Sequence, residues 1–305
     1  MSVKLSFKTS MDFTYGEASP VAPGIIRVVA NNPGPMTFKG TNTFLVGMTE
    51  LAVIDPGPAD AAHQAAVLRA AGGRPITHIL LTHSHRDHAD GTAGLKAATG
   101  AKVAAFPRPK IEAGATTSVA APASPDYVNT ELTIDMPLGE GTITEGKDWT
   151  FEAIHTPGHA PDHFCFALLS RGILFSGDHV MAWNTTIVAP PEGRMSLYLR
   201  SLERLLGRAR DKVYMPAHGD RIERPRRTVR AYLLHRRWRE QSILAAIRQG
   251  GATTRAIVPA VYRGIDARLL PAACLSVQAH VEHLIEQGLV TCEGSPTLDR
   301  PLYPV

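Results

Sequence analysis

Cysteine is scarce in this chain: only Cys165, Cys274 and Cys292 occur among 305 residues. Three scattered cysteines are too few for a disulfide framework or a cysteine-ligated zinc site. No run of about eighteen apolar residues is present, so no transmembrane helix is expected. The first residues lack the apolar stretch and the small-residue cleavage site of a signal peptide. We therefore expect a protein of the reducing cytoplasm, without membrane attachment.

The net charge is only +4, and the excess of positive residues is confined to one segment. Residues 221–239 hold a single acid, Glu223, and eight arginines: Arg221, Arg224, Arg226, Arg227, Arg230, Arg236, Arg237 and Arg239. A local excess does not by itself indicate a nucleic-acid-binding protein. Two interpretations stay open: a surface that binds phosphates, or a solvated helix face with ion pairs to Glu223 and Glu240.

The apolar content of 44% and the charged content of 20% are typical of a globular protein, so disorder is not expected. Apolar runs bounded by turn residues predict strands at 41–47, 51–55, 76–81, 149–155, 163–169, 172–176 and 212–215. Helical spacing predicts helices at 60–71, 89–99 and 196–206. This alternation favours two sheets packed face to face with helices outside.

From residue 225 the pattern changes to helices only, predicted at 226–248, 253–262 and 268–287, with a break near Pro259. Segments 288–292 and 302–305 are expected to pair as a small wing. We therefore predict two domains, 1–224 and a winged-helix-like 225–305. Residues 269–299 contain no lysine or arginine. A DNA-reading helix needs cations close to the phosphates, so this helix is expected to shape the active-site rim or to mediate dimerisation.

The densest chemical signal is segment 82–88, which follows the buried strand 76–81 and contains His83, His85, Asp87 and His88. Alternation at a strand end sends His83 and His85 to the same side, where they can share one metal. The turn that follows lets Asp87 and His88 face a second metal. This pattern predicts a metal site.

Four further residues follow other predicted strands: Asp55, His159, Asp178 and His218. Glycine or proline precedes most of them and allows the chain to turn sharply after the strand. Because each residue follows a strand end, we expect all of them at one edge of the sheets. A lone histidine is more often structural than a ligand. We apply that interpretation to His63, His78, His155, His235, His280 and His283.

With these motifs in place, the chain resembles the metallo-β-lactamase superfamily over nearly its whole length. The superfamily motifs match Asp55, His83-x-His85-x-Asp87-His88, His159, Asp178 and His218. The segments 32–35, 40–43, 157–163 and 177–181 are most similar to the lactamase-beta-like protein 2 group, which also carries an appended winged-helix-like domain. One departure is Asp90-Gly91, where the superfamily often has two glycines; it could alter the first turn of the next helix but removes no ligand.

The resemblance implies an αββα sandwich with two metal ions. It further implies that His83, His85 and His159 bind one ion, and that Asp178 bridges the pair. The second ion would be bound by Asp87, His88 and His218, with Asp55 orienting the ligand loop.

A donor set of nitrogen and oxygen without thiolate suits Zn²⁺ best, with iron or manganese as alternatives. Water bound to zinc loses its proton near pH 7 instead of about 15.7, so a hydroxide between the two ions is expected to attack the substrate. Asp87 and Asp178 therefore count as catalytic through the metals. His163 or His179 is a candidate proton donor to the leaving group, with hydrogen bonding to a ligand as the alternative. Trp183 is expected at the mouth of the site, as a substrate contact or as part of the core.

Three functions are compatible with this sequence. The first is an endonuclease for single-stranded RNA, as the resemblance implies for some members, with the arginines binding phosphates. The second is a hydrolase of thioesters, lactones or similar small carbonyl substrates. The third, a nucleic-acid-binding regulator that acts through the C-terminal domain, is disfavoured by the acidic third helix. Substrate, metal and homo-oligomeric state stay open at this point.

Overall fold

Two β-sheets face each other in the computed structural model, which describes residues 5–108, 127–250, 252–264 and 267–305. The first sheet contains, in spatial order, β1 Ser19–Ala22, β2 Ile25–Val29, β3 Asn42–Val46, β4 Leu51–Ile54, β5 Ile76–Leu80, β6 Lys102–Ala105 and β7 Met136–Pro137. The second contains β12 Val213–Pro216, β11 Ile173–Gly177, β10 Phe164–Leu168, β9 Thr150–His155 and β8 Ile143–Glu145. Both are mixed sheets. Parallel pairing begins at β4 and β5 in the first and joins β11 to β12 in the second.

The helices that flank the sheets are α1 Ala61–Ala71, α2 Arg86–Ala89, α3 Thr92–Thr99 and α4 Met195–Gly207. The core has three apolar layers. Phe44, Phe166 and Phe175 fill the space between the sheets. Helices α1 and α3 cover the outer face of the first sheet, where Leu95 is buried, and α4 covers the second sheet, where Leu202 is buried. The predicted αββα sandwich is therefore confirmed.

Helix α1 shows how local sequence sets these boundaries. The Asp60 carboxylate accepts hydrogen bonds from the N–H groups of Ala62 and His63, at 2.8 and 3.3 Å, and caps the first turn. Gly72 ends the helix with a left-handed backbone (φ 59°). The predicted helix at 60–71 is thus confirmed.

The helix predicted at 89–99 is confirmed as α3, but it begins three residues later, at Thr92, and the short helix α2 precedes it. Gly91 lies between them and donates its N–H to the Gly57 carbonyl at 2.8 Å. A Cβ at Gly91 would lie only 2.8 Å from the Pro56 carbonyl oxygen. The break is therefore imposed by close contact with the turn after β4. Gly91, which this contact requires, is present in the chain, although Asp90 stands at the position of the other superfamily glycine.

The C-terminal part consists of α5 Pro225–Arg248, α6 Thr254–Val261, α7 Leu270–Glu286 and a two-stranded wing of β13 Val290–Thr291 and β14 Tyr303–Pro304. This arrangement confirms the predicted winged helix. Helix α5 contributes to two cores: Val229 and Tyr232 pack on the sandwich, whereas Ile243 and Ile247 pack with α6 and α7. The boundary at 224/225 stays a prediction. Among the described helices, none is long and apolar enough to cross a membrane.

Candidate metal centre

The carboxyl ends of five strands meet at one edge of the sandwich and carry the predicted site residues. Asp55 follows β4, segment 82–88 follows β5, His159 follows β9, Asp178 follows β11 and His218 follows β12. The chain turns sharply where it leaves these strands. Gly177, just before Asp178, has a φ of 50°, and a Cβ there would lie 2.5 Å from the His163 ring nitrogen. Only glycine fits that approach without displacing the ring.

The first predicted ligand set, His83, His85 and His159, is brought together in the structure. The Nδ1 atom of His85 lies 2.9 Å from His83 Nε2 and 3.2 Å from His159 Nε2. All three donor atoms fall within 4.8 Å of one another, as the ligands of a single ion must.

The second predicted set, Asp87, His88 and His218, also converges. Asp87 Oδ2 lies 3.2 Å from His88 Nε2 and 3.3 Å from His218 Nε2. The Thr41 hydroxyl donates to the same carboxylate oxygen at 3.2 Å and orients it.

Asp178 lies between the two sets, as the resemblance implies for a bridging ligand. Its Oδ2 atom is 3.7 Å from both His159 Nε2 and His88 Nε2, and its Oδ1 atom is 3.3 Å from His218 Nε2. Within the described part of the chain, the buried atoms Asp178 Oδ1 and His88 Nε2 have no hydrogen-bond partner. Buried polar atoms are rarely left in that state, so these two atoms fit a bound cation.

The outer nitrogens of the histidines fix which ring nitrogen faces the centre. Four outer Nδ1 atoms contact an oxygen: His83 with Thr82 Oγ1 at 3.0 Å, His88 with Asp55 at 2.9 Å, His159 with the Ile187 carbonyl at 2.7 Å and His218 with the Gly40 carbonyl at 3.2 Å. A histidine that donates its outer N–H to such an oxygen presents an unprotonated inner nitrogen. The inner nitrogens are thus prepared as metal ligands.

Asp55 orients the ligand loop, as the resemblance implies. The side chain is buried and accepts three hydrogen bonds: from Thr82 N–H at 2.8 Å, from the Thr82 hydroxyl at 2.7 Å and from His88 Nδ1–H at 2.9 Å. The backbone at Asp55 is left-handed (φ 50°), a conformation that aspartate and asparagine tolerate better than most residues.

The electrostatics differ between the two halves of the centre. Burial, together with the other histidines, lowers the pKa of His83 well below its usual value and that of His159 to about 4. Burial would also lower the pKa of His218, but Asp178 and Asp87 raise it to about 10. The first half therefore favours neutral imidazoles and the second half stabilises positive charge. A divalent cation meets both demands.

Sequence reasoning missed the residue behind His85. Glu192 is buried, and its Oε2 atom lies 3.7 Å from His85 Nε2. Its other oxygen forms an ion pair with Arg108, which donates to the Ser84 hydroxyl at 2.8 Å. Asp162 supports the same loop by accepting the Ser84 N–H at 3.0 Å. Glu192 carries no local signal, since it comes from a loop more than 100 residues beyond His85.

The structure does not support His163 or His179 as proton donors. His163 is fully buried; its Nδ1 contacts the Thr156 hydroxyl at 2.9 Å, and its Nε2 accepts the Asp178 N–H at 3.1 Å. Both ring nitrogens are occupied, so His163 positions Asp178. His179 is equally buried, and burial lowers its pKa to about 3. For His163 this geometry favours the alternative of hydrogen bonding over proton donation, whereas neither ring nitrogen of His179 has a hydrogen-bond partner among the described residues.

A cavity of about 240 Å³ opens at the metal centre. Its wall is mostly apolar and includes Met36, Met181, Trp183 and Ile187. The Trp183 ring stacks on Phe38, with ring centroids 4.8 Å apart and planes at 12°. Trp183 therefore lies at the site, as expected from its loop position.

The six histidines interpreted as structural lie outside the candidate metal clusters of the described residues. His63 contacts the Thr43 hydroxyl at 2.8 Å, and His283 contacts Glu240 at 2.7 Å. Glu240 is therefore engaged by a histidine of α7 rather than by the arginines.

An αββα sandwich with such histidine and aspartate clusters at one edge defines a metal-binding hydrolase fold. The sequence profile of the metallo-β-lactamase superfamily matches residues 36–218, and that of the β-lactamase-associated winged helix domain matches residues 253–300. The chain belongs to the metallo-β-lactamase superfamily.

Relatives support this assignment. The β-lactamase-like protein 2 homolog of Drosophila melanogaster is 33% identical, with 87% of this chain and 88% of that protein covered. The atrochrysone carboxyl ACP thioesterase of Cryptosporiopsis sp. is 30% identical, with 79% and 68% covered. The crystal structure of a β-lactamase domain protein from Burkholderia ambifaria superposes with a TM-score of 0.80 at 20% identity, with 96% of each chain covered, and confirms the fold.

Proposed function

We propose that this protein is a two-metal hydrolase of thioesters or related carbonyl esters with an apolar acyl group. The observation that carries the proposal is the wall of the cavity beside the clustered ligands. The two ligand sets and Asp178 would hold two divalent ions, for which Zn²⁺ suits the nitrogen and oxygen donors best. When bound, such ions polarise a carbonyl oxygen and lower the pKa of water to about 7.

The cavity wall favours a carbonyl substrate over a phosphodiester. Met36, Met181, Trp183 and Ile187 offer apolar and aromatic contacts to an acyl chain or ring. Among the lining residues that the structure describes, Arg86 is the only arginine or lysine, and it pairs with Asp90. A nucleic-acid backbone next to the metals would need several cations. The thioesterase named among the relatives agrees with a thioester substrate.

An endonuclease for single-stranded RNA is the second candidate, and it depends on the arginines of 221–239. Arg236 and Arg239 are buried and unable to contact RNA. Arg221 and Arg237 are exposed but form ion pairs with Glu223 and Glu203. The exposed arginines without an ion pair among the described residues are Arg224, Arg226, Arg227 and Arg230. They favour an anionic ligand, but they do not line the metal cavity.

Helix α7 gives no support to a DNA-reading function. Ten of its seventeen residues are buried, and Val277 and Val281 belong to the core of the C-terminal domain. On another side, Leu275 packs against Ala189, which lines the metal cavity. The helix therefore supports the cavity wall from behind.

The test compares substrates on one zinc-loaded preparation. Acetyl, octanoyl and benzoyl thioesters of N-acetylcysteamine, a δ-lactone and a labelled single-stranded RNA are offered to the wild type and to Asp178→Ala. We expect thioester cleavage that is faster for octanoyl and benzoyl than for acetyl, and that disappears in the variant. RNA cleavage that requires Asp178, without thioester cleavage in a metal-loaded sample, would establish the endonuclease instead.

A further inference from the structure

A second groove, of about 490 Å³, lies on the other side of the loop that carries Trp183. Its walls come from residues 5–8 and from 221–232, and its floor includes Met181 and Ala182. Met181 also lines the metal cavity. The groove and the cavity are therefore neighbours, with Met181 in the wall of both.

The groove is basic. Lys8, Arg221, Arg224 and Arg227 line it, against a single acid, Glu223. Lys8 pairs with Asp220 at 2.5 Å, and Arg221 pairs with Glu223. In the described part of the chain, Arg224 and Arg227 form no ion pair, and both are exposed. Two unpaired guanidinium groups beside an apolar floor favour an anion that is attached to an uncharged arm.

The floor of the groove is firmly anchored. The Tyr232 hydroxyl donates to the Met181 carbonyl at 2.7 Å and accepts the Met181 N–H at 3.3 Å. The Lys8 N–H donates to the Ala182 carbonyl at 2.9 Å. Ala182 lines the groove and Trp183, the next residue, lines the cavity, so a single stretch of backbone lies between the two. A flexible arm can cross it.

We infer that this groove binds the phosphate group on the thiol portion of the substrate, while the acyl portion lies in the metal cavity. The inference rests on the proposed thioesterase function and narrows its substrate to thioesters with a phosphate-bearing arm of the phosphopantetheine type. Arg224 and Arg227 hold the phosphate, and Met181 and Ile222 contact the apolar part of the arm.

The chain offers a matched control on the same helix. Arg226 and Arg230 are exposed and lack an ion pair among the described residues, but they do not line the groove. The double variant Arg224→Gln/Arg227→Gln therefore removes the same charge as Arg226→Gln/Arg230→Gln. Only the first pair alters the groove.

The kinetic test uses S-benzoyl-4′-phosphopantetheine and S-benzoyl-pantetheine, which differ only in the phosphate. In the groove variant we expect KM for S-benzoyl-4′-phosphopantetheine to rise about tenfold, with kcat and the reaction of the phosphate-free thioester unchanged. The control pair should resemble the wild type. An equal change for both substrates, or in both pairs of variants, would overturn the inference.

A binding measurement separates this inference from the proposed function. Calorimetry with 4′-phosphopantothenate, which has no thiol to bind metal, is compared with pantothenate on the full metal-loaded protein. Phosphate-dependent binding that only the groove variant loses would support the groove, even if no thioester were hydrolysed. Equal affinity for both compounds would refute it. So would binding of single-stranded RNA alone that both arginine pairs weaken alike.

Discussion

Replacing Asp55 with asparagine should weaken one metal site more than the other. Asparagine has nearly the same shape and tolerates the left-handed backbone at this position (φ 50°). Its oxygen can still accept the Thr82 N–H. The amide nitrogen, however, would face His88 Nδ1–H, which in the wild type donates to the Asp55 carboxylate at 2.9 Å. Two donors then oppose each other, and the orientation of His88 is lost.

The magnitude follows from the role of that contact. Losing a partner that orients a metal-binding histidine typically lowers metal affinity about 10- to 100-fold, which corresponds to roughly 1.4 to 2.8 kcal/mol. His88 belongs to the set with Asp87 and His218, so that site should bear the main loss. His83 does not contact Asp55 directly, because the Thr82 hydroxyl lies between the two side chains. The first site should be affected less.

A second variant should weaken the other metal site instead. Glu192→Gln changes the side chain that faces His85 at 3.7 Å, so it should weaken the site of His83, His85 and His159. Competition with a chelator that reports two successive metal affinities distinguishes the outcomes. The reasoning is refuted if Asp55→Asn leaves both affinities unchanged, or if the two variants weaken the same site.

Further predictions follow from single contacts. Asp178→Ala should abolish hydrolysis and reduce the metal content below two ions per chain by elemental analysis; full content with normal turnover would contradict the ligand assignment. Trp183→Ala should raise KM for benzoyl thioesters about tenfold with little change in kcat, because a ring contact is removed; an unchanged KM would show that the ring does not contact substrate. Thr186→Val should lower the unfolding free energy by about 1–3 kcal/mol, because the hydroxyl donates to the carbonyls of Asp178 at 2.6 Å and of the next residue, whereas Thr185→Val should be neutral in the same denaturant titration. Burial lowers the pKa of His63 to about 4, so the folded state resists protonation that the unfolded state accepts near 6.5. His63 should therefore contribute up to about 3 kcal/mol to the stability that is lost as the pH falls from 6.5 to 4, and His63→Gln should lose less than the wild type over that window; equal slopes would refute this.

The sequence by itself identified the candidate ligands that the structure brings together, and it predicted two sheets with helices outside them. Strand and helix periodicity is a local property, so α1, β5 and the winged helix could be predicted from short segments. The spacing within 82–88 placed two histidines on one side of a strand end. The residues after the other strands followed from the same rule, because strand ends meet at a common edge.

Only the tertiary structure decided which groups surround the ligands. The carbonyls of Gly40 and Ile187 fix two histidine rings, and a backbone carbonyl leaves no mark in the residue types. Glu192 reaches His85 from a distant loop. Helix packing likewise separated the arginines, burying Arg236 and leaving Arg224 and Arg227 at a groove with residues 5–8. These contacts join segments far apart in the chain, and a pattern that repeats every two or four residues carries no information about them.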